Sequence, residues 1–371
     1  MTPDKKIFMF YPYVSPTASQ EVQKIINSRW IGQGAIVADF EKAFQDRLHL
    51  KNAVAVNSVA AAIRLALAIS GVGPGDEVIT SAQTCTATNF PILEQFATPI
   101  FADIQYNTGN INPKDIKNRI TKRTKAILCS HWGGYPCDME QIHSIADEFK
   151  LMVIEDASDA VGALYKNNPV GNMSPFSCFS FRAVQQITSA EGGMLCSLSD
   201  EHFQAALRRR WFGIDKLNRK PNAVGYFDFD IQETGYGYHM TNIHAAIGLA
   251  NLQKLDSIHK RREHIAGQYT KSLGAVDGIT LLESNPNRKS AFGLFTLHVQ
   301  RREDFCKTLR ERGVETSIVH DRNDKYSVFG GLRKDLPQLD LFSKTHISLP
   351  LHNQLSDSDV DHVISSINEG W

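Results

Sequence analysis

The chain has 371 residues, of which 42% are hydrophobic and 22% are charged, so it can bury the cores of one large and one smaller globular domain. Its 40 basic residues balance its 40 acidic residues, which argues against nucleic acid or a membrane surface as a partner. No stretch approaches the roughly 18 apolar residues of a membrane span, and the opening segment MTPDKKIFMFYPYVSP lacks the apolar core of a secretion signal, so we expect a cytoplasmic protein. The six cysteines are scattered without a C-x-x-C pair, which predicts neither a metal site nor a disulfide framework.

Apolar, strand-like runs alternate with helix-length segments through the first half of the chain. The runs are AVAVN (53–57), EVITS (77–81), PIFADI (99–104), KAILCSH (125–131) and LMVIEDA (151–157). Two of the intervening segments, VAAAIRLALAIS after a capping Ser58 and MEQIHSIADEFK, have apolar residues at helical spacing. The alternation predicts a parallel sheet with crossover helices, in which binding residues gather at the carboxyl ends of the strands.

The next strand-like run, CFSF (178–181), leads into a segment rich in small residues that ends at Gly192 and Gly193. Such a turn can hold a cofactor or a phosphate group. Between Phe181 and Thr188, however, the polar side chains are only one guanidinium and two carboxamides, so the segment offers no nucleophile or base.

The pattern changes after Gly248. A long, charged helical pattern, NLQKLDSIHKRREHIAGQYTKSL, leads to short strands such as LFTLHVQ. We therefore predict a large domain over 1–250, including the N-terminal segment, and a smaller domain over 251–371.

Nearly the whole chain resembles the sugar-nucleotide aminotransferases of the DegT/DnrJ/EryC1/StrS group. The resemblance is carried, in order, by NSVAAAIRLAL, PGDEVIT, TCTATNFPI, HWGGYPCDM, VIEDASDAVGALY, CFSFRAVQQITSAEGGML, RRRWFGID, GYGYHMTNIHAAIGLANLQKLD and VHDRNDKYSVF. It implies the aspartate-aminotransferase fold of pyridoxal phosphate enzymes, with a three-layer α/β/α large domain, a mainly parallel sheet and a smaller C-terminal α+β domain. A fold alone does not fix an activity.

The resemblance assigns cofactor contacts to two strand ends. Asp156 matches the aspartate that pairs with the pyridinium nitrogen of the cofactor, although a strand-end carboxylate can also be a helix cap. Ser180 matches a hydroxyl that contacts the cofactor phosphate, although it can equally be an ordinary strand serine. Backbone N–H groups after Ser58, at a helix N-terminus, would meet the same phosphate.

Gln185 stands where the resemblance places the lysine that forms the Schiff base with the cofactor. A carboxamide cannot condense with an aldehyde and is not basic near neutral pH, so it can neither hold the cofactor covalently nor move a proton. The sugar 3-dehydratases of this group have histidine there and use pyridoxamine phosphate, but histidine is still a base. Weak, noncovalent binding of pyridoxal phosphate or pyridoxamine phosphate and the absence of any cofactor both stay open.

Other positions also depart from the pattern that the resemblance implies. Val59 and Ala60 replace a small residue and a hydroxyl in the phosphate turn, and Asp159 replaces a histidine or glutamine close to the cofactor. A further carboxylate beside Asp156 and an anionic phosphate would be electrostatically unfavourable. Cys85, on the cofactor side, replaces an aromatic ring that varies among members of the group.

The resemblance also implies a substrate groove made by both subunits of a dimer. The residues that it assigns to substrate are Trp30, Arg210, His239, His320, Arg322 and Asn323. Two alternatives explain these residues nearly as well. At least one arginine of RRR can simply be exposed to solvent, and the polar residues of VHDRND can make hydrogen bonds within the protein.

Three functional hypotheses follow. The first is a noncatalytic relative in nucleotide-sugar or surface polysaccharide biosynthesis, which binds a nucleotide-linked sugar as a homodimer or joins an active paralogue in a heterodimer. The second is an aminotransferase or dehydratase that uses pyridoxal or pyridoxamine phosphate on a nucleotide-linked keto-sugar. The third is a sugar-nucleotide enzyme without a cofactor. The missing base argues against the second hypothesis, and Asp156 argues against the third.

Overall fold

The computed structural model describes residues 6–216 and 218–371. Its α-helices are α1 Ala18–Ser28, α2 Ala35–Leu48, α3 Val59–Ile69, α4 Thr86–Glu94, α5 Pro113–Arg119, α6 Met139–Phe149, α7 Asp200–Arg209, α8 Asn242–Leu252, α9 Leu255–Leu273, α10 Arg302–Glu311, α11 Pro337–Thr345 and α12 Asp357–Asn368. Its strands are β1 Asn52–Val56, β2 Glu77–Ser81, β3 Thr98–Ala102, β4 Thr124–Ser130, β5 Met152–Asp156, β6 Leu164–Tyr165, β7 Asn168–Pro169, β8 Phe176–Ser180, β9 Gly193–Ser197, β10 Lys220–Pro221, β11 Phe227–Asp228, β12 Ile279–Leu281, β13 Arg288–Lys289, β14 Phe295–Val299 and β15 His346–Leu349.

The largest sheet has seven strands in the order β1-β9-β8-β5-β4-β2-β3. Strands β3, β2, β4, β5 and β8 pair parallel to one another. Strand β9 is antiparallel to both of its neighbours, β8 and β1. The mainly parallel sheet predicted from the sequence is confirmed, with β9 as its one reversed strand.

The two faces of this sheet are covered by different helices. Phe44 of α2 lies with its ring centroid 5.2 Å from that of Phe179 in β8 and 5.4 Å from that of Phe181. The alternate residue Cys178 faces the other side, in a core shared with α3 residues such as Ile63. Because side chains along a strand alternate between faces, β8 is packed on both sides, as a three-layer α/β/α domain requires.

The helix predicted after Gly248 is divided into α8 and α9. The chain turns at Gln253 and Lys254, where the N–H of Lys254 donates to the carbonyl of Asn251 at 2.9 Å. A helical pattern that continues through such a turn does not reveal the break, because the apolar spacing is kept on both sides.

A second core lies beneath the three-stranded sheet β12-β14-β15 and contains residues of α9, α10 and α12. Ile7 belongs to this core, and its N–H donates to the carbonyl of Gly313 at 2.8 Å. The sequence analysis assigned the whole N-terminal segment to the large domain. Ile7 instead packs in the second core, where the hydrogen bond to Gly313 holds its backbone. The boundary between 1–250 and 251–371 stays a prediction. Within the described residues, no helix has the length and apolarity needed to span a membrane.

Replacing Phe44 by alanine should destabilise the large domain. Phe44 is fully buried in an aromatic cluster, and truncating a buried phenylalanine removes packing and leaves a cavity. We expect Phe44→Ala to lower the free energy of unfolding by about 3 to 5 kcal/mol, measured by guanidinium denaturation. Leu332→Ala is the control, because Leu332 is 65% exposed and its loss should cost less than about 0.5 kcal/mol.

Candidate functional site

A pocket lies at the carboxyl ends of β4, β5 and β8 and beside the segments that follow β1 and β2. It holds about 520 Å³ of empty space, including solvent at its mouth. The residues assigned to the site from the sequence that line it are Val59, Cys85, Asp156, Asp159, Ser180, Gln185 and His320. The expected gathering of these side chains at strand ends is therefore seen in the structure.

Asp156, the last residue of β5, is held by hydroxyl groups around it. Its Oδ1 accepts from the N–H of Ser158 at 3.0 Å and from the Ser158 hydroxyl, and its Oδ2 accepts from Thr88 Oγ1 at 2.5 Å. The carboxylate is 3% exposed. It is not a helix cap, as the alternative from the sequence had it, but a buried strand-end carboxylate with three protein donors.

The segment predicted to bind phosphate is the turn between β1 and α3. Ser58 caps α3 as predicted, because its Oγ accepts from the N–H of Ala61 at 3.1 Å. The first N–H groups of the helix lack intrahelical acceptors, as at any helix start. Val59 is a pocket-lining residue, whereas Ser58 and Ala60 are not. An apolar isopropyl group therefore stands beside this helix N-terminus.

Asp159 lies in the pocket three residues after Asp156. Burial and the nearby charge of Asp156 raise the pKa of Asp159 to about 6, against the opposing effects of Arg182, the Gln185 amide and Arg262. Among residues 6–216 and 218–371, no ion pair within 4.0 Å includes Asp159. Its carboxylate is thus a partly desolvated group without a close cation.

Two glycines enclose Asp159. A Cβ atom at Gly134 would lie 2.4 Å from the Asp159 carbonyl oxygen, and one at Gly293 would lie 2.5 Å from the Asp159 Cβ. Real Cβ atoms do not approach so closely, so both positions need glycine for space. This packing fixes the backbone from which the Asp159 carboxylate extends.

Gln185 lies on the wall of the pocket, in a turn where its N–H donates to the carbonyl of Arg182 at 2.9 Å. Its side-chain amide lies near the Asp159 carboxyl and acts to lower the pKa of that group. Within the part of the chain that the structure describes, no lysine lines this pocket. The side chain that Gln185 brings to this wall is a neutral carboxamide.

Trp30 and His239 are not among the lining residues of the pocket. Trp30 is 67% exposed, and its Nε1 donates to the carbonyl of Gln33 at 3.2 Å. His239 packs on Trp211 with 3.8 Å between ring centroids. Their predicted substrate contacts stay predictions.

The substrate role predicted for Arg210 stays a prediction, and this residue is buried. Its guanidinium is ion-paired with Glu41 and donates to the carbonyl of Ala55 at 2.8 Å. A guanidinium already neutralised inside the protein would have to leave these partners to bind a pyrophosphate.

The substrate contacts predicted for Arg322 and Asn323 also stay predictions, and both side chains have partners within the protein. Arg322 forms a bidentate pair with Asp324 at 2.7 and 2.6 Å and a further ion pair with Asp340. The Asn323 amide donates to the carbonyl of Thr84 at 2.7 Å, and Asn323 is fully buried. These side chains hold the 320–325 loop against the large domain, which leaves His320 as the residue of VHDRND that lines the pocket.

Several lining or flanking residues were not predicted as site residues. Arg182 and Trp132 line the pocket, Thr88 fixes Asp156, and Arg262 of α9 acts on Asp159 from the second core. Arg182, Trp132 and Thr88 lie inside quoted motifs, so their position there was a usable signal. Arg262 lies in a charged helix, but its spacing from Ile258 and Ile265 puts it on the inward face of α9, so helical periodicity was a usable signal there too.

Residues 12–368 match the family described as DegT/DnrJ/EryC1/StrS aminotransferase. The chain belongs to this family. It is 36% identical to the spore coat polysaccharide biosynthesis protein SpsC of Bacillus subtilis over 97% of both chains. Among solved structures, it is similar to the sugar aminotransferase CalS13 of Micromonospora echinospora, with 31% identity and a TM-score of 0.93 over 98% of this chain and 100% of that one.

A third similar structure is the putative sugar aminotransferase Spr1654 of Streptococcus pneumoniae in its PLP form. It is 26% identical, with a TM-score of 0.91 over 98% of each chain, and a PMP form of the same protein matches equally well. These comparisons confirm the predicted aspartate-aminotransferase-like fold and the membership in the family.

The raised pKa of Asp159 predicts a pH-dependent loss of stability. A carboxyl with a pKa of about 6 when folded and about 3.9 when unfolded binds a proton more tightly in the folded protein, so stability falls as the pH rises from 4 to 7. Asp159→Asn removes the titrating carboxyl and with it this dependence of stability on pH. We compare the free energy of unfolding of Asp159→Asn with that of wild type at each pH. The difference, variant minus wild type, should be on the order of 2 kcal/mol larger at pH 7 than at pH 4. Chemical denaturation at both pH values measures it, and a difference independent of pH would contradict the assignment.

Proposed function

We propose that this chain is a member of the sugar aminotransferase family that binds a nucleotide-linked sugar and does not form an internal aldimine. The observation that carries the proposal is Gln185 on the pocket wall, in a pocket without a lysine among its described lining residues. A carboxamide has neither the nucleophilic amine nor the basicity that transamination requires of this position. The relative SpsC, named for spore coat polysaccharide biosynthesis, supports a role in the synthesis of a surface polysaccharide.

The other residues of the pocket fit pyridoxal phosphate only in part. Asp156 is in place for a ring nitrogen, but Val59 and Ala60 bring no hydroxyl to the phosphate turn, and Asp159 adds a carboxylate. Each missing or unsatisfied polar contact costs about 1 to 3 kcal/mol. We therefore propose that any binding of pyridoxal or pyridoxamine phosphate is noncovalent and weak.

The proposed assembly is a homodimer, or a heterodimer with an active paralogue. Exposed apolar side chains cluster in sequence around β10 and β11, where Val224 is 86%, Tyr226 62% and Ile231 50% exposed. Exposed aromatic and aliphatic side chains of this density are typical of surfaces that associate with another chain.

A second candidate is an enzyme that uses noncovalent pyridoxamine phosphate on a nucleotide-linked keto-sugar. Asp159 favours it, because a carboxyl with a pKa raised to about 6 can accept a proton near neutral pH. The carboxamide of Gln185 and the apolar Val59 favour the first candidate.

The proposal predicts that added pyridoxal phosphate forms no covalent adduct in the pocket. Purified protein should show no protonated-aldimine absorbance, and borohydride should fix no cofactor to a peptide between Lys166 and Lys216, since this segment contains no lysine. Peptide mass spectrometry after reduction measures it. A reduced cofactor on a pocket peptide, or transamination of a keto-sugar nucleotide by the wild type, would overturn the proposal.

Restoring the lysine alone should not restore the cofactor site. We expect Gln185→Lys to form no stable aldimine with micromolar pyridoxal phosphate, because the deficits at Val59, Ala60 and Asp159 remain and each 1.4 kcal/mol is about tenfold in affinity. The matched variant adds Val59→Gly, Ala60→Thr and Asp159→His, and it should bind the cofactor at least about 100-fold more tightly. If Gln185→Lys alone gives a stable aldimine, the pocket has lost only its lysine.

A further inference from the structure

The charged groups around Asp159 balance one another. Asp156 and Asp159 bring two carboxylates, and Arg182 at the pocket and Arg262 from α9 bring two guanidinium groups that act on Asp159. Arg262 donates to the carbonyls of Phe292 and Gly293 and has no carboxylate within ion-pair distance in the described chain. These four protein groups carry two negative and two positive charges. A ligand with a net charge would therefore leave one of them unbalanced in a partly desolvated pocket.

The pocket also presents hydrogen-bond acceptors and donors side by side. The side-chain amide of Gln185 lies near Asp159 and acts to lower the pKa of its carboxyl, and a carboxamide offers both N–H donors and a carbonyl acceptor. Opposite in character is Arg182, an exposed residue that lines the pocket and whose guanidinium makes no hydrogen bond or ion pair with other described residues. Ser180 adds a hydroxyl that both donates and accepts.

Two ring side chains complete the lining. Trp132 is 4% exposed, and its Nε1 has no acceptor among the described residues. Its ring centroid lies 6.1 Å from that of His320, whose pKa is lowered to about 4 by burial and by the charge of Arg182. His320 is therefore a neutral imidazole that offers one donor and one acceptor. A buried indole N–H without a partner costs free energy unless a ligand or water accepts from it.

We propose that this pocket binds the neutral hexose ring of the nucleotide sugar in the space where relatives hold their cofactor, with adjacent hydroxyl groups bridging Asp159 and Arg182. The inference rests on the proposed function and names the part of the ligand that this pocket takes. A sugar hydroxyl suits the site because it donates to a carboxylate and accepts from a guanidinium at once, and charge-assisted hydrogen bonds of this kind are the strong ones. A phosphate or an ammonium would satisfy one of the two groups and be repelled by the other.

The test measures how much affinity the hexose adds to its nucleotide. Titration calorimetry at pH 7.5 compares UDP-glucose, UDP-galactose, dTDP-glucose and GDP-mannose, each with its own nucleoside diphosphate. We expect at least one hexose to tighten binding about tenfold or more over the nucleoside diphosphate, the size of one to two charge-assisted hydrogen bonds. Asp159→Asn and Arg182→Gln should each remove most of that gain and leave the Kd of the nucleoside diphosphate within about twofold.

Matched controls separate the contact from a general loss of structure. Asp304→Asn removes a carboxylate that is exposed on α10, and it should leave both the hexose gain and the nucleotide affinity unchanged. Thermal unfolding checks that each variant folds. If Asp159→Asn does not fold, Gln185→Ala serves as a second pocket variant. It should lower the hexose gain about threefold, because it removes one neutral acceptor and the amide that lies near Asp159.

The outcomes divide between the two proposals. A hexose gain that survives in Asp159→Asn and in Arg182→Gln places the sugar outside this pocket and overturns the inference, while the proposed function stands. Nucleoside diphosphates that bind without any gain from a hexose overturn it as well. Failure of every nucleotide and nucleotide sugar to bind, or a borohydride-fixed cofactor in the wild type, overturns the proposed function itself.

Discussion

The site depends on the approach of Gly193 to the turn between β1 and α3. Gly193 is paired with Val56 of β1 on one side and with Ser180 of β8 on the other. A Cβ atom at this residue would lie 2.4 Å from the carbonyl oxygen of Ser58. This oxygen belongs to the backbone, so it cannot move aside as the end of a flexible side chain could. Only glycine lets the reversed strand β9 join the ends of β1 and β8, and this junction brings the start of α3, Ser180 and the Gln185 turn to one pocket.

Much of this arrangement was predictable from the sequence because it depends on local patterns. The apolar runs became strands β1 to β5 of the large sheet, and Asp156 and Ser180, at the carboxyl ends of β5 and β8, became part of the pocket lining. The direction of β9 was not predictable in this way, since a short apolar run has the same composition whichever way it pairs. The contact of Ile7 with Gly313 likewise depends on a distant segment.

Charged residues were the least predictable part of the site. The guanidinium groups of Arg210 and Arg322 were assigned to a ligand from their motifs, yet each is held by a carboxylate that the motif does not contain, Glu41 and Asp340. Conversely, Arg262 acts on the pocket from a helix of the second core. A sequence shows which residues carry charge, but the partner of each charge is set by packing between distant segments.

Asp156 also has partners within the protein that its sequence position did not reveal. From the sequence, a carboxylate at this position argued for a cofactor whose ring nitrogen it would meet. In the structure its oxygens already accept three hydrogen bonds from Ser158 and Thr88, and Thr88 is in turn 2.9 Å from the hydroxyl of Thr84. Removing the carboxylate would leave buried donors unpaired, which gives the residue a structural role that does not depend on any ring. Asp156 therefore has a structural role besides its place on the pocket wall, whereas Gln185 bears directly on the chemistry of the pocket.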